Sequence, residues 1–264
     1  MFAEDLRSEL NKTARAKIGD IEVINLLPSS QQELISRSMV NSLWQVLVVE
    51  NQTAGMGRQA RPWLAGNGQI SFSVRGWVDA QTSSIGLLSL LASLCVHDVL
   101  TSLGLSQIGL KWPNDVLINY QKISGILISV VKSAQNKFDI VLGIGLNRLR
   151  LPLQMNGSVL TAISLSDLLP SPPEQSVLIA GLLNAWFARL PLVLSEQGRV
   201  DLVNEWHTHA LWIGQQVIVT LHNHSIEGVF CGITSDGRLK LTTSRGEQLF
   251  SAGEVQLRPH TQFN

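Results

Sequence analysis

The stretch Lys111–Leu127, KWPNDVLINYQKISGIL, decides how this chain is read. It divides into a short apolar strand ending at Lys111, a polar break at Pro113-Asn114-Asp115, a second short apolar strand, a turn at Asn119-Tyr120-Gln121, and a β-branched strand from Lys122 onward. Two lysines therefore bracket one Asn-Asp pair. Lysines at strand ends are ordinarily solvated. Here, however, Trp112-Pro113 fixes the backbone entering the break, and Asn114-Asp115 puts a donor-acceptor pair where a loop can face a ligand.

Three further loops carry unusual chemistry. A buried strand at Gln45–Glu50 (QVLVVE) ends in the loop Asn51–Trp63, where Gly55 and Gly57 let backbone approach a ligand and Arg58 and Arg61 offer guanidinium forks for phosphate or carboxylate. No third glycine opens a helix there, so a dinucleotide-binding fingerprint is not met. A strand at Phe138–Gly143 runs into Gly143-Ile144-Gly145-Leu146-Asn147, bare backbone on which a flat ligand can pack, or equally a bulge. Near the start, Pro28-Ser29-Ser30-Gln31 follows a strand at Ile21–Leu26 and precedes a helix expected over Gln32–Leu43, with Ser29 or Ser30 as its cap. If the four loops converge, they make a glycine-lined slot with polar groups for a small planar ligand and two Arg and two Lys for several negative charges. That suits a carboxylate meeting a nucleoside triphosphate. No Ser-His-Asp triad, thiol-His pair or Walker-type loop points to hydrolysis or to a P-loop kinase.

The remaining elements frame these loops. Residues 1–20 read as one weakly amphipathic helix anchored by Leu6, Leu10 and Ile18, and Gln69–Arg75 alternates as a half-buried strand does. The longest helix is expected over Ser83–Leu103, with His97 on its surface. An irregular stretch, Pro152–Pro173, ends at the helix-start signal Ser171-Pro172-Pro173-Glu174. Helices follow to Gln197 and over Val200–His207. The pair His207 and His209 has no nearby Cys or His to complete a zinc shell. From Gly214 the period changes to short strands at Val217–Leu221, Ile226–Ile233, Leu239–Thr243 and Gln248–Ser251, a small antiparallel barrel or sandwich whose boundary falls near residues 210–214.

Composition sets the outer limits. The chain has 264 residues, 45% hydrophobic and 15% charged, which is a folded protein with room for one large and one small domain. Its 20 basic and 20 acidic side chains cancel, which argues against a sequence-independent nucleic-acid binder. Cys95 and Cys231 read as buried free thiols of a reducing compartment. The N-terminus lacks an apolar signal core, and the longest apolar helix is interrupted by Ser93, His97 and Asp98. The expectation is a cytoplasmic protein with no membrane span.

With these residues in view, the chain resembles the biotin protein ligases, enzymes that biotinylate carboxylase carrier domains. The resemblance rests on ENQTAGMGRQARPW at Glu50–Trp63, KWPNDVLINYQKISGIL at Lys111–Leu127 and GIGLN at Gly143–Asn147, and extends over nearly everything after residue 20. It implies an α+β fold: a central mixed sheet backed by helices, then a small C-terminal antiparallel β-barrel. The domains would be a catalytic domain over residues 21–211 and the barrel over 212–264, after an N-terminal extension of residues 1–20. It also implies two half-reactions, biotin and MgATP giving biotinyl-5′-AMP, then transfer to a lysine of the carrier. By matched position Ser29, Ser30, Gln31, Gln52, Gly55, Met56, Gly57, Gly143 and Gly145 would form the biotin site, and Lys122 would contact the biotin carboxylate and then the acyl-phosphate. Arg58, Arg61, Trp63, Lys111, Asn114 and Asn147 would hold ATP. Lys122, Arg58, Lys111 and Asp115 would carry the chemistry, with Asp115 contacting Mg²⁺ or orienting the incoming lysine.

The pattern departs from the family at Met56, where many relatives carry arginine, at Ala60, which replaces a glycine, and at Ser30-Gln31, which replaces Thr-Asn or Thr-Gln. Too few residues precede the first strand for the DNA-binding domain of some relatives, so operator binding is not expected, while a homodimer is compatible with the resemblance. A lipoate or octanoate transferase of related fold is one alternative. A biotin-sensing homologue without turnover is the other.

Overall fold

The structure is a computed structural model that describes residues 2–39, 42–63, 66, 68–79, 85–134, 137–150, 162–221, 224–252 and 256–259. The hairpin stretch does what its pattern predicts. Strands β4 (Ile108–Lys111), β5 (Asp115–Ile118) and β6 (Gln121–Ala134) form an antiparallel meander whose tight turn places Asn119 and Tyr120 at φ of 50° and 62°. Both angles belong to a primed hairpin turn. With β1 (Ile18–Leu27), β2 (Trp44–Gln52), β3 (Ile70–Asp79) and β7 (Lys137–Leu146) they build one seven-stranded mixed sheet in the order β1-β2-β3-β7-β6-β5-β4, in which β1 and β2 pair in parallel.

The N-terminal residues form two helices rather than one, α1 (Ala3–Glu9) and α2 (Lys12–Lys17), because the Asn11 side chain accepts a hydrogen bond from Ala14 N and starts a new helix. Leu6, Leu10, Ala14 and Ile18 are buried in the main core. The helix expected over Gln32–Leu43 is shorter, α3 (Ser30–Ser36), capped by the Ser29 side chain and ended by extended backbone at Arg37. Helix α4 (Ile85–Ser102) buries a broad apolar face from Leu87 to Leu100, and α5 (Leu165–Leu168) is a single turn. Helix α6 (Gln175–Arg189) stops sooner than expected: Pro191, which has no N–H to give, sits in a short 3-10 turn, after which Ser195 caps α7 (Glu196–His209). By length and composition, Ile85–Ser102 and Gln175–Leu194 are apolar enough to cross a membrane, with mean hydropathy 1.7 and 1.8, which corrects the expectation that no segment is. About half of each is buried in the protein, the behaviour of core helices.

The sheet has two distinct faces. Phe72, Val74, Ile126, Leu142 and Ile144 join the large core with α4 and α6, and α3 packs on the other face over β2, β3 and β7 with a small cluster of Leu34, Leu47, Val49 and Val141. A second sheet follows, β8 (Gln216–Thr220), β9 (Ser225–Ile233), β10 (Leu239–Thr243), β11 (Gly246–Phe250) and β12 (Gln256–Pro259), antiparallel throughout in the order β11-β10-β9-β8-β12. The strand β12 was not legible in sequence. This sheet shares the main core, and it and the segment leading into it lock onto the hairpin: Leu211 N donates to Leu110 O at 2.9 Å, and the Trp112 indole donates to Gly237 O at 3.0 Å. Both cysteines are free. Cys95 is buried as expected, and burial pushes its thiol upward, but Cys231 is exposed because it lies on the outward register of β9.

Candidate active site

Cross-strand partners share a face of a sheet, and the register lines up small residues on the face that carries α3. Gly145 pairs with Ser71 and Gly125, Gly125 with Asp115, and Gly143 with Ser73 and Leu127. The glycines are needed because other side chains descend onto bare backbone. A Cβ at Gly143 would lie 2.5 Å from Gln31 Oε1. One at Gly145 would lie 2.2 Å from the Trp63 indole, and one at Gly125 3.0 Å from that ring and 3.3 Å from Lys122 Nζ.

The first wall is the start of α3. Ser29, Ser30 and Gln31 are buried; Ser29 caps the helix, Ser30 N donates to Gln52 Oε1 at 2.7 Å, and the hydroxyls of Ser30 and Ser73 are 2.8 Å apart. Ser73 donates to Gln31 Oε1, while Gln31 Nε2 donates to Ser129 Oγ and Val141 O, each at 3.0 Å. The helix is held from its other end by Arg75, which donates through Nη1 to Leu34 O and Arg37 O, and through Nε and Nη2 to Asp139 at 2.9 and 2.6 Å. Arg75 and Asp139 are 2% and 1% exposed, so the pair is desolvated as well as bidentate.

The second wall is the glycine-arginine loop, folded as a small hairpin: Gly57 N donates to Arg61 O, Trp63 N donates to Gly55 O, and Met56 bridges Pro62. Ala60 adopts φ 54° beside Gln59 at 55°, the left-handed region that disfavours a Cβ. Arg58 reaches across to Asn114 Oδ1 at 3.2 Å, and Asn114 Nδ2 donates to Ile126 O. Arg61 is exposed and donates to Gln59, so the two arginines of the loop are not equivalent.

The third wall is the hairpin turn. Asp115 Oδ1 lies 2.5 Å from Lys122 Nζ and its Oδ2 3.5 Å from Lys111 Nζ, with Asp115 and Lys111 only 14% and 13% exposed. Burial alone would raise the Asp115 carboxyl, but Lys122 and then Lys111 outweigh it and hold the group below its ordinary value. Burial pulls Lys111 down against the opposing charge of Asp115, with Lys122 and Arg258 of β12 adding like charge. Burial likewise lowers Arg58, Asp115 opposing. Three cations around one carboxylate leave an excess of positive charge. Lys122 Nζ also lies 5.4 Å from the Trp63 ring centroid, within cation–π range. Asn147 is 3% exposed and gives its amide to Lys122 O at 3.1 Å and Ile163 O at 3.0 Å, so it pins the lysine's backbone.

The fold thus gathers the sequence-assigned residues on one face of the sheet, with Arg61 directed outward. Sequence reasoning missed Ser71, Ser73, Arg75, Ser129 and Asp139. The alternation of QISFSVR contains the signal, but alternation alone predicts a strand with one face in water, whereas β3 is buried on both faces from Ile70 to Gly76. Among the described residues no group of three His, Cys, Asp or Glu could hold a metal, and the pair His207 and His209 does not form one. His209 instead stacks on His97, centroids 3.8 Å apart, so His97 is a packing residue and not a free surface side chain.

A glycine-floored slot between a polar helix start and paired lysines, on a mixed sheet followed by a small antiparallel one, is the arrangement that the resemblance to the class of biotin ligases leads one to expect. Comparison with known proteins agrees: residues 26–147 match the Biotin/lipoate A/B protein ligase family, and residues 212–258 match the Biotin protein ligase C terminal domain. The biotin--[acetyl-CoA-carboxylase] ligase of Mycobacterium tuberculosis is 32% identical over 243 residues, 89% of this chain and 88% of that protein. The ligase of the same name from Paracoccus denitrificans is 27% identical over 92% of this chain and 98% of its own length. The biotin protein ligase from Aquifex aeolicus, solved in complex with biotin and ATP, has the same fold, with a TM-score of 0.75 at 23% identity, covering 92% of this chain and all of that one. The chain belongs to the biotin protein ligase family.

Proposed function

We propose that this protein activates biotin with ATP to biotinyl-5′-AMP and transfers the biotinyl group to a lysine of a carboxylase carrier domain. The observation that carries the reading is the convergence of Gln31, Trp63 and Lys122 on the Gly143, Gly145 and Gly125 floor, in a chain whose C-terminal sheet matches the biotin ligases. In this reading Ser30, Gln31 and Gln52 hold the ring system, and Gly55, Met56 and Gly57 close over it. Lys122 meets the biotin carboxylate. Arg58, Lys111 and Asn114 hold the triphosphate, Trp63 and Asn147 flank the nucleoside, and Arg61 engages only when the loop re-forms around nucleotide.

The chemistry follows from charge. A biotin carboxylate oxygen attacks the α-phosphorus, forming the mixed anhydride and breaking the bond to pyrophosphate, so negative charge accumulates where Lys122, Lys111 and Arg58 supply positive charge. Such preorganised donors act strongly where water is excluded. Asp115 keeps the two ammonium groups aligned and is the carboxylate at hand to orient the carrier's lysine. That amine then attacks the biotinyl carbonyl carbon, and AMP leaves. The donor set fits a magnesium ion only as one that arrives on the nucleotide phosphates, because Asp115 is the single carboxylate among the described site residues and two lysines already neutralise it. When bound, the ion would supply charge neutralisation on those phosphates.

The test is pyrophosphate release on mixing the protein with biotin and MgATP, followed by label transfer to a carrier domain. Release with biotin and not with lipoate is expected. Release with lipoate alone would make the chain a lipoate ligase, and no release from a folded protein would leave a sensor.

A further inference from the structure

Of the five buried side-chain polar atoms without a partner among the described residues, two belong to residues that meet at Gly145: Ser71 Oγ and Trp63 Nε1. Ser71 is 3% exposed and is the cross-strand partner of Gly145 on the slot face. The next hydroxyl along that face, Ser73, is fully engaged by Ser30 and Gln31. A buried hydroxyl with no partner is costly, so one that points at a ligand slot marks a place where the ligand completes the bond. Trp63 lies on the same glycine with its own N–H unmet.

We infer that Ser71 is a substrate-contacting residue whose hydroxyl donates to the sulfur-bearing edge of biotin's bicyclic ring, and that Trp63 withdraws from Gly145 as the ligand enters. The inference rests on the biotin-ligase reading above. Position supplies the assignment. From the Ser73–Gly143 row under Gln31 to the Ser71–Gly145 row is a step of two residues, about 7 Å along the strand, and it leads toward Lys122, which overhangs Gly125 in the second row. With the ureido end at Ser30 and Gln31 and the carboxylate at Lys122, the second row underlies the middle of the ligand. There the thioether is the only heteroatom able to accept a hydrogen bond.

The experiment measures biotin and desthiobiotin, which lacks the sulfur, in equilibrium binding and in pyrophosphate release, for the wild-type protein and for Ser71→Ala and Ser71→Thr. The expected result is a roughly tenfold loss of biotin affinity in Ser71→Ala, appearing in KM with kcat nearly unchanged. Desthiobiotin affinity stays as in the wild type, Ser71→Thr retains most biotin affinity, and the thermal midpoint of ligand-free Ser71→Ala is equal or higher because an unmet hydroxyl is removed. Unchanged biotin affinity in folded Ser71→Ala overturns the inference, and so does an equal loss for biotin and desthiobiotin. If Ser71→Ala does not fold, Ser71→Thr decides: biotin affinity that falls together with desthiobiotin affinity overturns the inference. Failure of the wild-type protein itself to bind biotin is a separate outcome that removes the parent reading.

Discussion

Gly145→Ala adds one methyl group to the slot floor, and the structure says where its cost falls. The new carbon would sit 2.2, 2.3 and 2.5 Å from three atoms of the Trp63 indole, an ångström or more inside the ~3.5 Å of ordinary carbon contact. The backbone of Gly145 is not in the left-handed region, so the strand itself accepts alanine. Replacing glycine at a compatible position usually stabilises by about 0.4–1 kcal/mol through the unfolded chain. The strain therefore passes to Trp63, which is tied to the molecule through a loop and can retreat, and to any ligand that must lie on the floor. One methyl-sized change in a binding pocket is worth about 1–3 kcal/mol, or roughly 10–200-fold. The expectation is a fall of that size in kcat/KM for biotin with a thermal midpoint equal to wild type or slightly higher, measured by pyrophosphate release over a biotin titration and by differential scanning fluorimetry. Wild-type kcat/KM in the folded variant would refute the reasoning. So would a midpoint lowered by more than about 4 °C, roughly 1 kcal/mol at this size, because the clash would then be resolved in the sheet and not at the loop.

Lys122→Ala removes the ammonium nearest Asp115 and is expected to lower adenylate formation by about 10²–10³-fold while the protein stays folded. Full activity in the folded fraction, measured by single-turnover pyrophosphate release, would sink the assignment. Arg75→Met strands the buried Asp139 and frees two carbonyls at the end of α3, so a loss of about 3–5 kcal/mol is expected in urea unfolding. An Asp139→Leu partner should recover much of it, and a loss below about 1 kcal/mol would show the pair to be dispensable. His207 Nε2 accepts from Ile233 N at 2.9 Å, and burial, then the charge of Lys240, hold its pKa below the ordinary 6.5. A proton therefore prefers the unfolded chain, so this stability is complete above about pH 6.5 and is lost as pH falls below it toward the folded value. The thermal midpoint should decline over that range. His207→Gln should flatten part of the decline, with His209, also lowered by burial, carrying the rest; an unchanged slope in His207→Gln would count against it.

How much of this was legible beforehand depends on the range over which each force acts. Turn chemistry and strand alternation are local, and they placed the three-strand meander at Ile108–Ala134 and the glycine-arginine loop where the structure has them. The GIGLN stretch, expected as a turn or bulge after a strand ending at Gly143, is instead regular strand: β7 runs on to Leu146 and stays in register with β3 and β6 through both glycines. Local reading offered Ser29 or Ser30 as the cap of α3, of which the structure uses Ser29, but it did not find where the helix stops, because the stop is enforced by extended backbone that feeds Arg75. It could not divide α1 from α2, end α6 at Pro191, or find β12, whose pairing with β8 comes from residues more than thirty positions away.

The same division runs through the site. The sequence by itself supplied the chemical groups: two lysines about one Asn-Asp pair, the loop arginines, the helix-start serines and glycines at alternate positions of one strand. Only the tertiary structure decided that Lys111 and Lys122 share one carboxylate at depth, that Arg58 crosses to Asn114 while Arg61 turns outward, and that Ser71, Ser73 and Arg75 share the sheet face that carries α3. The reason is that charge and hydrogen-bonding capacity belong to a residue, whereas desolvation and partnership belong to a surface. Two strand-end lysines become an anion site only where a folded sheet shields them from water and holds Asp115 between them.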